Sequence, residues 1–223
     1  MAKLLFKYPT RSRPRLFAET LHTWRSLLSG KHHYKWLISM DTNDNTMNVE
    51  RIKDMLNRFE DTDYYYGNST SKIMAVNADL DKCPLFDILI LVSDDQIPVV
   101  PGFDDHLVNE MVDAFPNLDG CIWHYDNRTK DICTLPIMGS TYFHKYGYIY
   151  NTAYQSLWAD NEMTVVAQNA GKIKYYDQVL IEHRWRDVIG NDHLMTHNES
   201  FYQQDSIVFQ QRKAAGFGEN NGK

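Results

Sequence analysis

Nothing in the 223 residues marks a boundary between domains, because Gly-, Ser- or Pro-rich linkers and internal repeats are all lacking. The chain is long enough to bury a sizeable core, so one domain over residues 1–212 is expected, with a small, polar, Gly-rich tail at 213–223. Cysteine is scarce. Cys83, Cys121 and Cys133 are odd in number and show no C-x-x-C spacing, which excludes a disulfide framework and a zinc knuckle and suits small core residues in a reducing compartment. No apolar run reaches transmembrane length, and the opening Met1–Lys7 is too short for a signal peptide, so a cytoplasmic protein is expected. The sequons at Asn68, Asn127 and Asn198 then carry no consequence. Excess positive charge is also missing. A net charge of −6 argues against tight non-specific binding to nucleic acid.

What is present is uneven. Residues 1–35 hold eight Lys and Arg against the single acid Glu19, a local +7, which leaves −13 for the remainder. A basic amino-terminal segment on an acidic chain suggests a local anion site, or merely a solvated helix face. The densest signal is Phe86–Val92, an apolar run interrupted only by Asp87, which leads directly into Ser93-Asp94-Asp95. Such a run reads as a strand buried on both faces of a parallel or mixed sheet. Two acids at its carboxyl end fall where open α/β sheets bind ligands, and adjacent carboxylates suit a hard divalent cation as well as a solvated turn.

The remaining pattern alternates strand and helix. Lys3–Tyr8 predicts a strand, and Pro14 opens a helix whose Phe17, Leu21, Trp24 and Leu28 form one apolar stripe. Trp36–Met40 predicts the second strand, followed by a helix marked by Val49, Ile52, Met55 and Phe59, and Tyr64–Tyr66 the third. Pro101-Gly102 leads into a helix with Leu107, Met111 and Phe115 on one face. Gly120–Tyr125 and Cys133–Ile137 read as strands, 162–170 as a helix, and Ile173–Trp185 as one or two final strands. Between them, seven of the seventeen residues Tyr142–Trp158 are aromatic, which suits a stacking surface for sugars or bases, or the padding of a small core. The alternation specifies an α/β fold with a mixed, mainly parallel central sheet flanked by helices.

In this order the parts resemble the GT-A fold glycosyltransferases, most closely small family 2-like enzymes of phage and bacterial genomes, over roughly residues 3–190. Tyr8-Pro9-Thr10-Arg11-Ser12-Arg13 is similar to the family's opening loop, which implies nucleotide contacts from Pro9, Thr10, Arg11 and Arg13. Asp41-Thr42-Asn43-Asp44 resembles the loop whose first acid addresses base or ribose, here without the family's glycine. Asn77 falls where the family often closes the donor pocket. Ser93-Asp94-Asp95 takes the place of the Asp-x-Asp motif with Ser at its first position, which makes Asp95 the implied metal ligand and places Asp94 toward the ribose or behind the direct ligands. Asp160-Asn161-Glu162 resembles the acidic motif that supplies the catalytic base, Asp160 first and Glu162 as fallback. Ile181-Glu182-His183-Arg184-Trp185 resembles the strand whose His completes the metal site, with His193 and His197 as runners-up.

The resemblance implies transfer of a sugar from a nucleoside-diphosphate donor, a UDP-sugar being favoured, to an acceptor hydroxyl with inversion, assisted by Mn²⁺ or Mg²⁺. The acceptor is left open between a glycan and a modified base in phage DNA, the latter placing the enzyme in the host cytoplasm. Two other classes stay in view: a non-catalytic nucleotide-sugar binding protein, and a hydrolase whose metal is held by the His-rich stretch 183–197 with Asp94 and Asp95.

Overall fold

The computed structural model describes residues 1–184, 190 and 192–221. Its centre is a seven-stranded sheet built from β1 (Lys3–Pro9), β2 (His33–Asp41), β3 (Thr62–Gly67), β4 (Ile88–Leu91), β6 (Cys121–His124), β7 (Ile137–Gly139) and β8 (Ile173–Tyr176), in the order β3-β2-β1-β4-β7-β6-β8. β1 pairs in parallel with both β2 and β4, β2 with β3, and β6 with β8, while β7 runs antiparallel between β4 and β6. A separate ribbon pairs β5 (Gln96–Pro98) with β9 (Ile181–His183), antiparallel, with Gln96 opposite His183.

Period-two alternation sorts the strand side chains into two cores. Leu4, Phe6 and Tyr8 of β1, with Trp36, Ile38 and Met40 of β2, face α1 (Pro14–Ser26), α2 (Glu50–Leu56) and α4 (Phe103–Ala114). Leu5 and Leu37 face the other way, onto α3 (Lys72–Asn77), α5 (Ser140–Tyr146) and α6 (Ala159–Asn169). The expected stripe of α1 is buried at Phe17, Leu21 and Trp24, and Phe6 stacks on Trp36 with 4.4 Å between ring centroids. Complete burial of an aliphatic or aromatic side chain stabilises by about 1.5–3 kcal/mol, so the four buried aromatics Phe6, Phe17, Trp24 and Trp36 hold this layer firmly.

Two expectations need correction, and one open choice is decided. The strand expected at Cys133–Ile137 begins only at Ile137, because Asp126 and Thr164 take up the loop before it through hydrogen bonds from the Thr134 hydroxyl and the Cys133 amide. The aromatic segment is chiefly core: Tyr142, Phe143, Tyr150 and Tyr154 are buried against β4, β6 and α6. The carboxyl-terminal region is more ordered than its composition suggests. After α7 (His193–Glu199), α8 (Tyr202–Ala214) runs past residue 212, and Phe217 folds back onto Phe209, so the expected tail is anchored. Trp185, at the end of the expected last strand, lies outside the described residues.

Candidate active site

The carboxyl ends of β1, β2, β4 and β6 meet at one edge of the sheet, and the acids deposited there are held in different ways. α1 fixes the turn after β4: the Thr20 hydroxyl donates to the Asp94 carbonyl (2.9 Å) and Trp24 Nε1 to that of Gln96 (2.7 Å). Asp94 is buried and accepts from Tyr8 Oη (2.6 Å) and from Thr10 Oγ1 (3.2 and 3.3 Å). Burial pushes its carboxyl up to about 7 against the pull of Tyr8 and Arg13. Its oxygens thus fasten the opening loop from behind.

Asp95 faces the other way. Its Oδ2 lies 3.6 Å from His183 Nε2, its Oδ1 accepts from the Ser93 hydroxyl, and its carbonyl accepts from the Arg184 amide (2.7 Å). The β5–β9 register therefore brings together two side chains 88 positions apart. On the far side of the imidazole, His183 Nδ1 lies 3.2 Å from Asp126 Oδ2, and the His183 amide donates to the Asp126 carbonyl (2.9 Å). Asp126 is itself fixed by the amides of Arg128 and Thr129 (2.9 Å each) and the Thr134 hydroxyl (2.7 Å). Burial pulls the imidazole down, but hydrogen bonds to Asp126 and Asp95 outweigh it and raise His183 to about 9. Burial likewise opposes ionisation of Asp95 and Asp126, yet His183 and the surrounding donors bring both down to about 2.

This arrangement fits a divalent cation. A cation held by the Asp95 carboxylate and His183 Nε2 would replace the proton that Nε2 carries toward Asp95, while Asp126 orients the ring from behind, as outer carboxylates do for metal-bound histidines. Among the described residues, no group of three or more His, Cys, Asp and Glu converges into a preformed cation site. Hard cations take six or more ligands, so a cation here draws the rest from a bound ligand and water.

The nucleotide-side residues gather on the neighbouring strand ends. Pro9 ends β1 opposite Ser39, and the Thr10 amide donates to the Ser39 carbonyl (3.0 Å). Arg11 Nη1 donates to Asp41 Oδ2 (2.6 Å) and to Asn43 Oδ1 (2.9 Å), and the Ser69 amide donates to Asp41 Oδ1 (2.8 Å). Asp44, in the same loop, caps it by accepting from the amides of Ser12 (2.6 Å) and Thr46 (3.0 Å). Arg13 makes a fork with Asp192, the N-cap of α7, at 2.6 and 2.9 Å. The side chain of Asn77 is spent on the backbone: it accepts from the amides of Ile149 (2.9 Å) and Tyr150 (3.2 Å) and donates to the Tyr150 carbonyl (2.7 Å).

The two candidate bases separate. Asp160 and Glu162 share the first turn of α6, but two residues turn a helix through about 200°, so they look to opposite sides. Asp160 is half-buried and lies within the electrostatic field of Lys72 and His183; burial raises its carboxyl, and Lys72 is the largest opposing charge. Glu162 is buried in a fork with Arg212 (2.7 Å to each oxygen) and accepts from Tyr154 Oη (2.8 Å). Glu162 as fallback base is therefore corrected: both its oxygens are committed inside the molecule. His193 and His197 sit on α7, where the His197 ring packs edge-on against Phe201 with 5.3 Å between centroids.

No protein-family profile matches this sequence, and no curated protein sequence matches it either. Solved structures do. A mannosyltransferase from Pyrobaculum calidifontis, in complex with GDP-Man and Mn²⁺, superposes over 100% of this chain and 76% of its own length, with a TM-score of 0.62 at 12% identity. This chain shares its fold with solved glycosyltransferases. TarS 1-349 of S. aureus, in complex with UDP-GlcNAc, matches 88% of the chain and 61% of its own length (TM-score 0.61, 11% identity), and the same protein in complex with UDP matches 100% and 74% (0.60, 12%).

Asp126 is the site residue that motif reading missed. A signal existed, since Asp126 lies just past the buried strand Cys121–His124, and acids in that position fall at the ligand-binding edge of an α/β sheet.

Proposed function

We propose that the chain is a metal-dependent glycosyltransferase that moves a sugar from a nucleoside-diphosphate donor to an acceptor hydroxyl with inversion. The observation that carries this reading is the Asp95–His183–Asp126 relay at the carboxyl edge of the sheet. The shared fold supports it, because one structural neighbour is seen with GDP-Man and Mn²⁺ and another with UDP-GlcNAc.

Asp95 and His183 would hold a divalent cation, and Asp126 keeps the Nδ1 proton in place so that Nε2 faces outward. Bound there, Mn²⁺ or Mg²⁺ stabilises the charge that gathers on a leaving diphosphate. Asp41, with Arg11 and the Ser69 amide around it, frames the nucleoside end of the crevice, and Asp94 braces the loop through Thr10. Asp160 faces the site from α6 and takes the proton of the attacking hydroxyl; a raised carboxyl is the better base for that work. Attack from the side opposite the diphosphate inverts the anomeric carbon. A hydrolase is the weaker reading because a hydrolytic metal is usually held by three protein ligands with an open water position, and no such group converges among the described residues.

The acceptor is a glycan hydroxyl or a modified base. Melting curves with UDP-, GDP-, CMP- and dTDP-sugars, each with and without Mn²⁺, test the donor class, since a ligand specific to the native state raises the melting temperature. One sugar nucleotide is expected to raise it only with Mn²⁺ present, and Asp95→Ala and His183→Ala to abolish that metal dependence. A protein stabilised by none of them overturns the proposal.

A further inference from the structure

We infer that Lys72 is the cation that meets the terminal phosphate of the donor diphosphate, an assignment that rests on the glycosyl-transfer reading above. Motif comparison pointed to Arg11 and Arg13 for this task, but both guanidinium groups already have partners: Arg11 the Asp41 carboxylate and Asn43, Arg13 a two-bond fork with Asp192. Arg184 pairs with Glu182. Lys72 is exposed, and it has no hydrogen bond or ion pair to any described residue. A long flexible stem with an unpaired ammonium is free to take an anionic ligand as its partner.

Its place in the fold is fixed on three sides. Lys72 opens α3, with Ser71 as N-cap accepting from the Met74 amide (3.1 Å). The next residue, Ile73, donates its amide to the Gln155 carbonyl (3.2 Å), which ties this end of α3 to the loop leading into Asp160. That loop is held in turn by Asp205, whose carboxylate accepts from the amides of Gln155, Ser156 and Leu157 at 2.8–2.9 Å. At its other end α3 is fixed by Asn77 to residues 149 and 150. The field of the Lys72 ammonium, like that of His183, reaches both Asp95, on the proposed metal side, and Asp160, on the side of the attacking hydroxyl, and of the two cations only Lys72 has no carboxylate partner among the described residues. The atoms between those two carboxylates during transfer are the sugar and the phosphate it leaves. As the glycosidic bond breaks, its electron pair goes to the bridging oxygen of the terminal phosphate, which gains one negative charge. Lys72 can follow that charge, whereas the committed arginines must first give up their carboxylates.

The test compares diphosphate with monophosphate. Binding of Mn²⁺-UDP, Mn²⁺-GDP, UMP and GMP is measured by calorimetry on wild type, Lys72→Ala and Lys72→Arg. For whichever base wild type accepts, Lys72→Ala is expected to weaken the diphosphate about tenfold or more and the monophosphate less than about twofold, with Lys72→Arg restoring most of the loss. A merely structural role would weaken both nucleotides together. Equal losses for the two, or no loss for either, overturn the assignment to Lys72. If wild type binds neither diphosphate with Mn²⁺, the donor-binding reading itself fails, and that outcome is distinct from the others.

Discussion

Two clusters of acids and cations differ in what they leave free. At the carboxyl edge of the sheet, Asp95 and Asp126 share one imidazole, and Asp95 and His183 stay partly exposed. In the helical layer formed by α6 and α8, Glu162 gives both oxygens to Arg212 and Tyr154, and Asp205 gives both to three backbone amides. The first cluster is arranged for a ligand, the second for the chain itself. Residue type does not separate them. The number of donors already satisfied does.

The sharpest way to break this contrast is to exchange the consequences of Asp160 and Glu162, two positions apart in one turn of helix. Asp160→Asn should lower transfer by about 10²–10⁴ while donor affinity and melting temperature hold, as expected when a general base is removed. Steady-state kinetics beside donor calorimetry would check it. Glu162→Gln should do the reverse. Removing one charge of a buried pair costs about 3 kcal/mol of stability, visible in a denaturant melt, with per-folded-molecule activity preserved. If Glu162→Gln instead leaves stability intact and stops transfer, the division between the clusters is wrong. A smaller effect tests the relay: Asp126→Asn should weaken Mn²⁺ binding by about 10–100-fold, because the ring loses its orienting carboxylate although neither direct ligand is touched.

The smallest expected effect concerns the sheet beneath the site. Lys7 is fully buried on the face covered by α3, with its ammonium hydrogen-bonded to Ser39, whose hydroxyl donates to Asp79 (2.6 Å). Burial lowers it to about 7 from an ordinary 10.5. Between those values the unfolded chain holds the extra proton, so stability should rise with pH across that window, by at most about 1.4 kcal/mol per pH unit. Chemical melts at pH 7 and 9 on wild type and Lys7→Met would read the slope, which the variant should flatten.

The amino-terminal half was legible because its signals are local. A buried parallel strand is one continuous apolar run, and α1 is a stripe within thirteen residues, so β4 and α1 announce themselves. Asp95 and His183 could be nominated from their motifs, since Asp95 lies in the turn after the apolar run of β4 and His183 ends β9. What escaped depends on distance. The β5–β9 ribbon has three residues per strand, too short for any periodicity, and the fate of Glu162 is decided by Arg212, fifty positions later. α8 hid for a related reason: its sequence is polar on most sides, and it is held by the buried Asp205 and Phe209 rather than by a broad apolar face.

The pairing of β5 with β9 also has a consequence in time. When synthesis has reached Tyr176, every strand of the central sheet exists, so the nascent chain can fold its scaffold early. The His183 imidazole is still seven residues away, and it reaches Asp95 only when Gln96 pairs with it across the ribbon. The Asp95–His183 pair is therefore assembled after the strands of the sheet exist, from the same late part of the chain that supplies Arg212 and Asp205 to the helical layer.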